Sequence, residues 1–168
     1  QSRLAGIDFI NSYAEIISPN EIKAGKEIIK SKFILIATGS WPAVIPGLAF
    51  DHLKVITSDD ILSLTDIPQS LLIIGGGVIG CEFASLFSIF GSQVSVVEKM
   101  PNILPYEDKE VGRKMGVIFK KKGILVSIDT DALTIDLNEY SKVLVCVGRT
   151  PNIAGLGLEK LQIVLEGG

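Results

Sequence analysis

Two hydrophobic rhythms divide the chain. From Ser12 to Ser40 the apolar residues come in short runs, Tyr13–Ile17, Glu27–Ile29 and Phe33-Ile34-Leu35-Ile36-Ala37, separated by Pro19-Asn20 and Gly25. Such runs between turn residues predict strands, and the last is apolar enough to predict a strand buried on both faces. The stretch Trp41-Pro42-Ala43-Val44-Ile45-Pro46-Gly47 then stops regular structure, and a boundary is expected at residue 47.

Beyond it the runs lengthen and alternate between strand and helix. Ser58 before Asp59 and Asp60 predicts a capped, dipole-matched helix start, with Pro68 closing that short helix. Leu71-Leu72-Ile73-Ile74 predicts a buried strand that runs into Gly75-Gly76-Gly77-Val78-Ile79-Gly80. Cys81 to Phe90 predicts a helix apolar at Phe83, Leu86, Phe87 and Phe90, with Gly91 as its C-terminal cap. Val94–Val97 is the next strand. A helix from about Glu107 to Lys122 carries acids in its first turn and lysines in its last, before Gly123. Strands at Ile124–Ile128 and Val143–Val147 complete the order. The expected class is α/β: a Rossmann-like parallel sheet with flanking helices, preceded by a β-rich segment.

Composition narrows the functions. Sixteen basic against nineteen acidic side chains give a net charge of −3, which leaves no broad basic field for a polynucleotide. No apolar run reaches the roughly 18 residues of a membrane span, so a soluble protein is expected. Cys81 and Cys146 stand 65 positions apart in apolar contexts and predict two buried, reduced thiols in a reducing, cytoplasmic setting rather than metal ligands. The opening Gln1–Ile7 does not read as a signal peptide and resembles mid-protein sequence. His52 is expected to be solvent-exposed.

A lone G-x-G-x-x-G is a weak signal, but here a buried strand precedes it, a helix follows it, and Glu98 ends the next strand. Gly75 is expected to permit a tight turn, Gly77 to let a pyrophosphate approach the backbone, and Gly80 to let helix and sheet lie close. The phosphates would meet the N–H groups of the helix beginning near Val78. Glu98 would accept from the adenosine ribose hydroxyls and repel a 2′-phosphate, favouring NAD over NADP. Lys99 beside it is expected to face solvent.

The segments IIGGGVIGCEFASLFSIFGSQVSVVE and ILPYEDKE, with ILIATGSWP upstream and VLVCVGRTPN downstream, resemble the middle of the dihydrolipoamide dehydrogenase family of flavin-dependent disulfide oxidoreductases. The resemblance covers nearly the whole chain. It implies a NAD-binding domain, residues 48–147, inserted in an FAD-binding domain, with residues 1–47 and the return segment 148–168 belonging to the latter or to the junction. It also implies that Thr38, Gly39 and Ser40 approach FAD, that Gly75, Gly76, Gly77, Val78, Ile79, Gly80, Glu82 and Glu98 hold NAD, and that Glu82 and Gly148 lie toward the nicotinamide. Ser12 stands where the family usually has glycine. A homodimeric parent, and the lipoyl domains of 2-oxo acid dehydrogenase complexes as partners, are further implications.

The family's redox-active cysteine pair, its N-terminal FAD fingerprint and its histidine–glutamate pair are not in the sequence, so no catalytic residue is assigned. An NAD-sensing module without chemistry, and relatives such as NADH oxidases, mercuric reductases and soluble transhydrogenases, stay open as alternatives. The interval from Ile128 to Lys142 is too short for the long antiparallel excursion that the resemblance implies. A gap in the numbering is expected there, and a continuous chain would instead mean a real deletion.

Overall fold

The computed structural model describes residues 6–161, 163 and 165. Residues 1–5, 162, 164 and 166–168, which include most of the opening segment and the end of the 148–168 return, lie outside the described residues. The chain forms two compact units. One holds the described residues up to Trp41 and from Thr150 onward, and the other is Pro42–Arg149.

In the first unit, β1 (Ala14–Ser18), β2 (Glu21–Ala24) and β3 (Glu27–Lys30) form an antiparallel meander in the order β1-β2-β3. Gly25 at φ +61 turns the chain between β2 and β3, a conformation that glycine adopts without steric cost. A 3-10 turn at Leu158–Leu161 packs on β1, where Leu156 O accepts from Ile16 N at 2.8 Å and Lys160 pairs with Glu15. Ile16 and Leu158 are its buried contacts. The strand expected at 33–37 does not form. Its backbone has no ladder partner among the described residues, and Phe33 and Leu35 are 81% and 91% exposed. An apolar run becomes a buried strand only when neighbours flank it, and local sequence cannot supply those neighbours.

Strands β4 (Ser40–Pro42) and β10 (Arg149–Pro151) lie where the chain passes from one unit to the other. The second unit is built on β5 (Val55–Ile56), β6 (Ser70–Ile74), β7 (Gln93–Val97), β8 (Leu125–Ser127) and β9 (Lys142–Val145). These pair in parallel in the order β5-β9-β6-β7-β8. Helices α1 (Val78–Ile89) and α2 (Lys109–Lys121) make the crossovers from β6 to β7 and from β7 to β8.

Both faces of the sheet are covered, which is why its strands read as continuous apolar runs. Leu71 and Ile73 of β6 point toward α1 and α2, into a core with Cys81, Ala84, Phe87, Val96 and Phe119. Leu72 and Ile74 point the other way, into a core with Val55, Val97, Val143 and Val145. Helix α1 buries Gly80, Cys81, Ala84 and Phe87, whereas Leu86 and Phe90 are 41% and 50% exposed. The buried stripe is carried by smaller residues than the aromatic spacing predicts, because this helix lies close on the sheet. Asp108 caps α2 by accepting from Glu110 N at 2.7 Å, and Gly123 at φ +75 ends it.

One local expectation is corrected. The predicted helix start at Ser58 is a single 3-10 turn, Asp60–Ser63, and the side-chain box in front of it is closed from Thr57 rather than Ser58. Thr57 Oγ1 accepts from Asp60 N at 3.1 Å while Asp60 Oδ2 accepts from Thr57 N at 2.8 Å, a reciprocal box that a buried threonine forms better than Ser58. Between β8 and β9 the chain runs through 3-10 turns at Ala132–Thr134 and Leu137–Glu139, capped by Asp131 and Asp136. Ala132, Ile135, Leu137 and Tyr140 of this strap cover the second core.

Candidate functional site

The carboxyl ends of β6, β7 and β9 open into a cleft of about 720 Å³, within the roughly 300–1,000 Å³ typical of small-molecule sites. The chain leaves β6 toward β7 and β8 on one side, while β9 lies on the other. Parallel sheets bind ligands at this kind of reversal, because the loops diverge there.

Its floor is the glycine-rich turn. Gly75 sits at φ +108, and a Cβ there would lie 2.4 Å from Cys146 O, so no side chain fits. At Gly80 a Cβ would lie 2.0 Å from Gly75 O, which keeps α1 tight under the turn. Gly77, the N-cap of α1, differs: a Cβ there would meet nothing within 4 Å and would project into open space where a ligand could lie. Gly77 supplies no side-chain cap. The first-turn N–H groups of α1, at Val78, Ile79 and Gly80, have no acceptor within the helix and, with the dipole, suit an anionic group.

Glu98 follows β7 and is 8% exposed. Its Oε2 accepts from Gly76 N at 2.6 Å and its Oε1 from Met100 N at 2.7 Å. A carboxylate has about four acceptor sites, so lone pairs remain for hydroxyl donors. Lys99 is exposed and also lines the cleft, as do Thr130, Asp131, Ala132 and Leu133 of the strap. Backbone bonds hold these loops together: Thr130 N donates to Glu98 O at 3.1 Å, and Leu104 N to Gly76 O at 2.7 Å. Leu104 is at φ +52, a left-handed conformation that costs a non-glycine residue roughly 1–3 kcal/mol.

Of the residues singled out from sequence, Gly75, Gly77, Val78, Ile79, Glu98 and Gly148 line this cleft. Gly76 and Gly80 support it from below, and Gly148 is at φ +120. Glu82 is exposed on α1 and does not line it. Thr38, Gly39 and Ser40 belong to the other unit, where Gly39 O accepts from Asn152 N at 2.9 Å and Thr38 O from Asn152 Nδ2 at 3.3 Å. Gly39 is at φ +74, and a Cβ there would meet nothing within 4 Å.

Cys81 is buried, and its Sγ donates to Gly76 O at 3.4 Å. Burial, and then the charge of Glu98, push its thiol up to about 11. Cys146 is half-buried rather than fully buried, at the cleft wall, and burial pushes its thiol up to about 12. Both are thiols, not thiolates, at neutral pH. His52 is exposed, as its loop predicts, and Nδ1 lies 2.9 Å from Asp60 Oδ2. No group of three or more His, Cys, Asp or Glu able to hold a metal occurs among the described residues, and no helix among them is long and apolar enough to cross a membrane. Sequence reasoning missed the strap residues of the cleft, whose only signal was the shortness of the link from β8 to β9.

Comparison with known proteins agrees with this architecture. The model of the family described as "Pyridine nucleotide-disulphide oxidoreductase" matches residues 1–168. A dihydrolipoyl dehydrogenase from Bacillus subtilis is 37% identical over 194 residues, covering 96% of this chain and 41% of the relative. A leghemoglobin reductase from Vigna unguiculata is 36% identical over 181 residues, covering 94% and 35%. The structure of LpdA from Mycobacterium tuberculosis superposes with a TM-score of 0.81 at 26% identity, covering 97% of this chain and 41% of that one. The chain thus spans about two fifths of the relatives it matches. The match to the Bacillus protein extends over 194 residues against 168 here, so at least 26 of its positions have no counterpart in this chain. By its matched length and its relatives, the chain belongs to the pyridine nucleotide-disulphide oxidoreductase family.

Proposed function

We propose that this chain is the NAD-binding portion of an FAD-dependent disulfide oxidoreductase whose whole protein passes electrons from dihydrolipoamide to NAD. The observation that carries the reading is the joining of a side-chain-free turn at Gly75–Gly77, an uncapped helix start and a buried acceptor, Glu98, in one cleft. The turn and the first-turn amides of α1 would take the pyrophosphate, and Glu98 the adenosine ribose hydroxyls. Gly148 and Glu82 would lie toward the nicotinamide. In the other unit, Thr38, Gly39 and Ser40 would approach FAD, where the open side of Gly39 leaves the backbone accessible.

When bound, the two cofactors supply hydride acceptance and two-electron transfer, and the protein's part is to hold and orient them. The proposal extends to a homodimeric, cytoplasmic parent that serves lipoyl domains of 2-oxo acid dehydrogenase complexes, as the family resemblance implies. NMR titration of the labelled chain with NADH tests the site. Shifts are expected at Gly75–Gly80, Glu98, Thr130 and Gly148. Shifts confined to other surfaces would remove the reading.

A further inference from the structure

Glu98 is a buried carboxylate whose two oxygens are both engaged by backbone before any ligand arrives. Oε2 takes Gly76 N at 2.6 Å and Oε1 takes Met100 N at 2.7 Å. Charge-assisted bonds of this kind are roughly twice as strong as neutral ones. The following peptide is held as well, so that Gly76 is fixed on both sides, since Gly76 O accepts from Leu104 N at 2.7 Å and from Cys81 Sγ at 3.4 Å. A Cβ at Gly76 would meet Ile103 Cγ2 at 2.8 Å and Glu98 Cβ at 3.2 Å, so this residue is also packed in place.

We infer that Glu98 is a positioning residue for the pyrophosphate-binding turn, fixing the Gly76 peptide in the ligand-free protein, in addition to its ribose-facing role. The inference rests on the dinucleotide reading of the cleft. It separates two effects that an ordinary substitution would confound. A carboxylate acting only on ribose hydroxyls has no influence on a ligand without ribose. One that holds the turn alters the grip on the diphosphate itself.

The variant that isolates the effect is Glu98→Asp. It keeps the charge, so the electrostatic attraction felt by an anion changes little, but it withdraws the carboxylate by about 1.5 Å, beyond hydrogen-bond reach of Gly76 N. The experiment measures amide hydrogen exchange in the ligand-free full chain and the affinity for inorganic pyrophosphate and for NADH. Wild-type Gly76 and Met100 amides should be protected. In Glu98→Asp they should exchange at least roughly tenfold faster while the amides of Leu72 to Ile74 keep their protection, and pyrophosphate should bind about threefold to tenfold more weakly.

Unchanged exchange at Gly76 together with unchanged pyrophosphate affinity overturns the inference. If the strand amides of Glu98→Asp are lost too, Glu98→Gln takes its place: it has the same length but one acceptor oxygen, so only one of the two amides should stay protected. Both protected as in the wild type would overturn the inference equally. A wild-type chain that binds neither NADH nor pyrophosphate would instead defeat the dinucleotide reading, and the exchange data would still decide whether Glu98 holds the turn.

Discussion

The β6 strand and the run at residues 33–37 have nearly the same composition and opposite fates. Leu71, Leu72 and Ile73 are fully buried, because β7 and β9 flank the strand and side chains cover both faces of the sheet. Phe33 and Leu35 are almost fully exposed, with no strand beside them among the described residues. Hydrophobicity states a need for burial, and tertiary neighbours decide whether it is met.

The contrast is sharpest in stability. Phe119→Ala empties a fully buried position against the sheet and should cost about 3–5 kcal/mol. Phe33→Ala, at an exposed position, should stay within about 0.5 kcal/mol of the parent. Urea unfolding followed by circular dichroism measures both, and equal effects would mean that the two regions are not built as described.

Within the sheet unit, two glycines of one motif should behave differently. Gly80→Ala forces a Cβ onto Gly75 O and should destabilise by about 1–3 kcal/mol, toward the upper end because the obstacle is backbone. Gly77→Ala meets nothing and should leave stability within about 0.5 kcal/mol while weakening NADH binding. Loss of stability at Gly77 with none at Gly80 would reverse the assigned roles.

The smallest effect is alkaline. The thiols of Cys81 and Cys146 are raised from 9.0 to about 11 and about 12, so the folded state favours their protonated forms. Their contribution is complete below about pH 9 and is lost as pH rises through 11 and 12. Cys81→Ala should flatten this decline, as read by denaturant midpoints between pH 8 and pH 11. An equally steep decline in that variant would place the cause elsewhere.

How far the sequence carried the account differs by element. Strand-turn-helix order around Gly75–Gly80 was legible, because glycine placement and uninterrupted apolar strands are local signals with one compatible geometry. Helix α2 was legible to within two residues at its start because its charges match the dipole and Asp108 caps it. The cap at Thr57 was not, since serine and threonine in succession offer the same chemistry and only burial selects between them. Nor was the tie from Glu98 to Gly76 N legible, since it joins positions 22 apart through a contact that only the folded sheet creates. The strap from Ala132 to Tyr140 escaped for the same reason: its residues gain their role from the cleft and core they cover.

The central claim, that the cleft takes NAD with its ribose against Glu98, is tested most directly by calorimetric titration of the chain with NADH and with NADPH. A 2′-phosphate brought against a buried carboxylate is expected to weaken binding roughly tenfold or more, and Glu98→Arg to narrow or invert that preference. Equal affinity of the unmodified chain for the two cofactors would contradict the account.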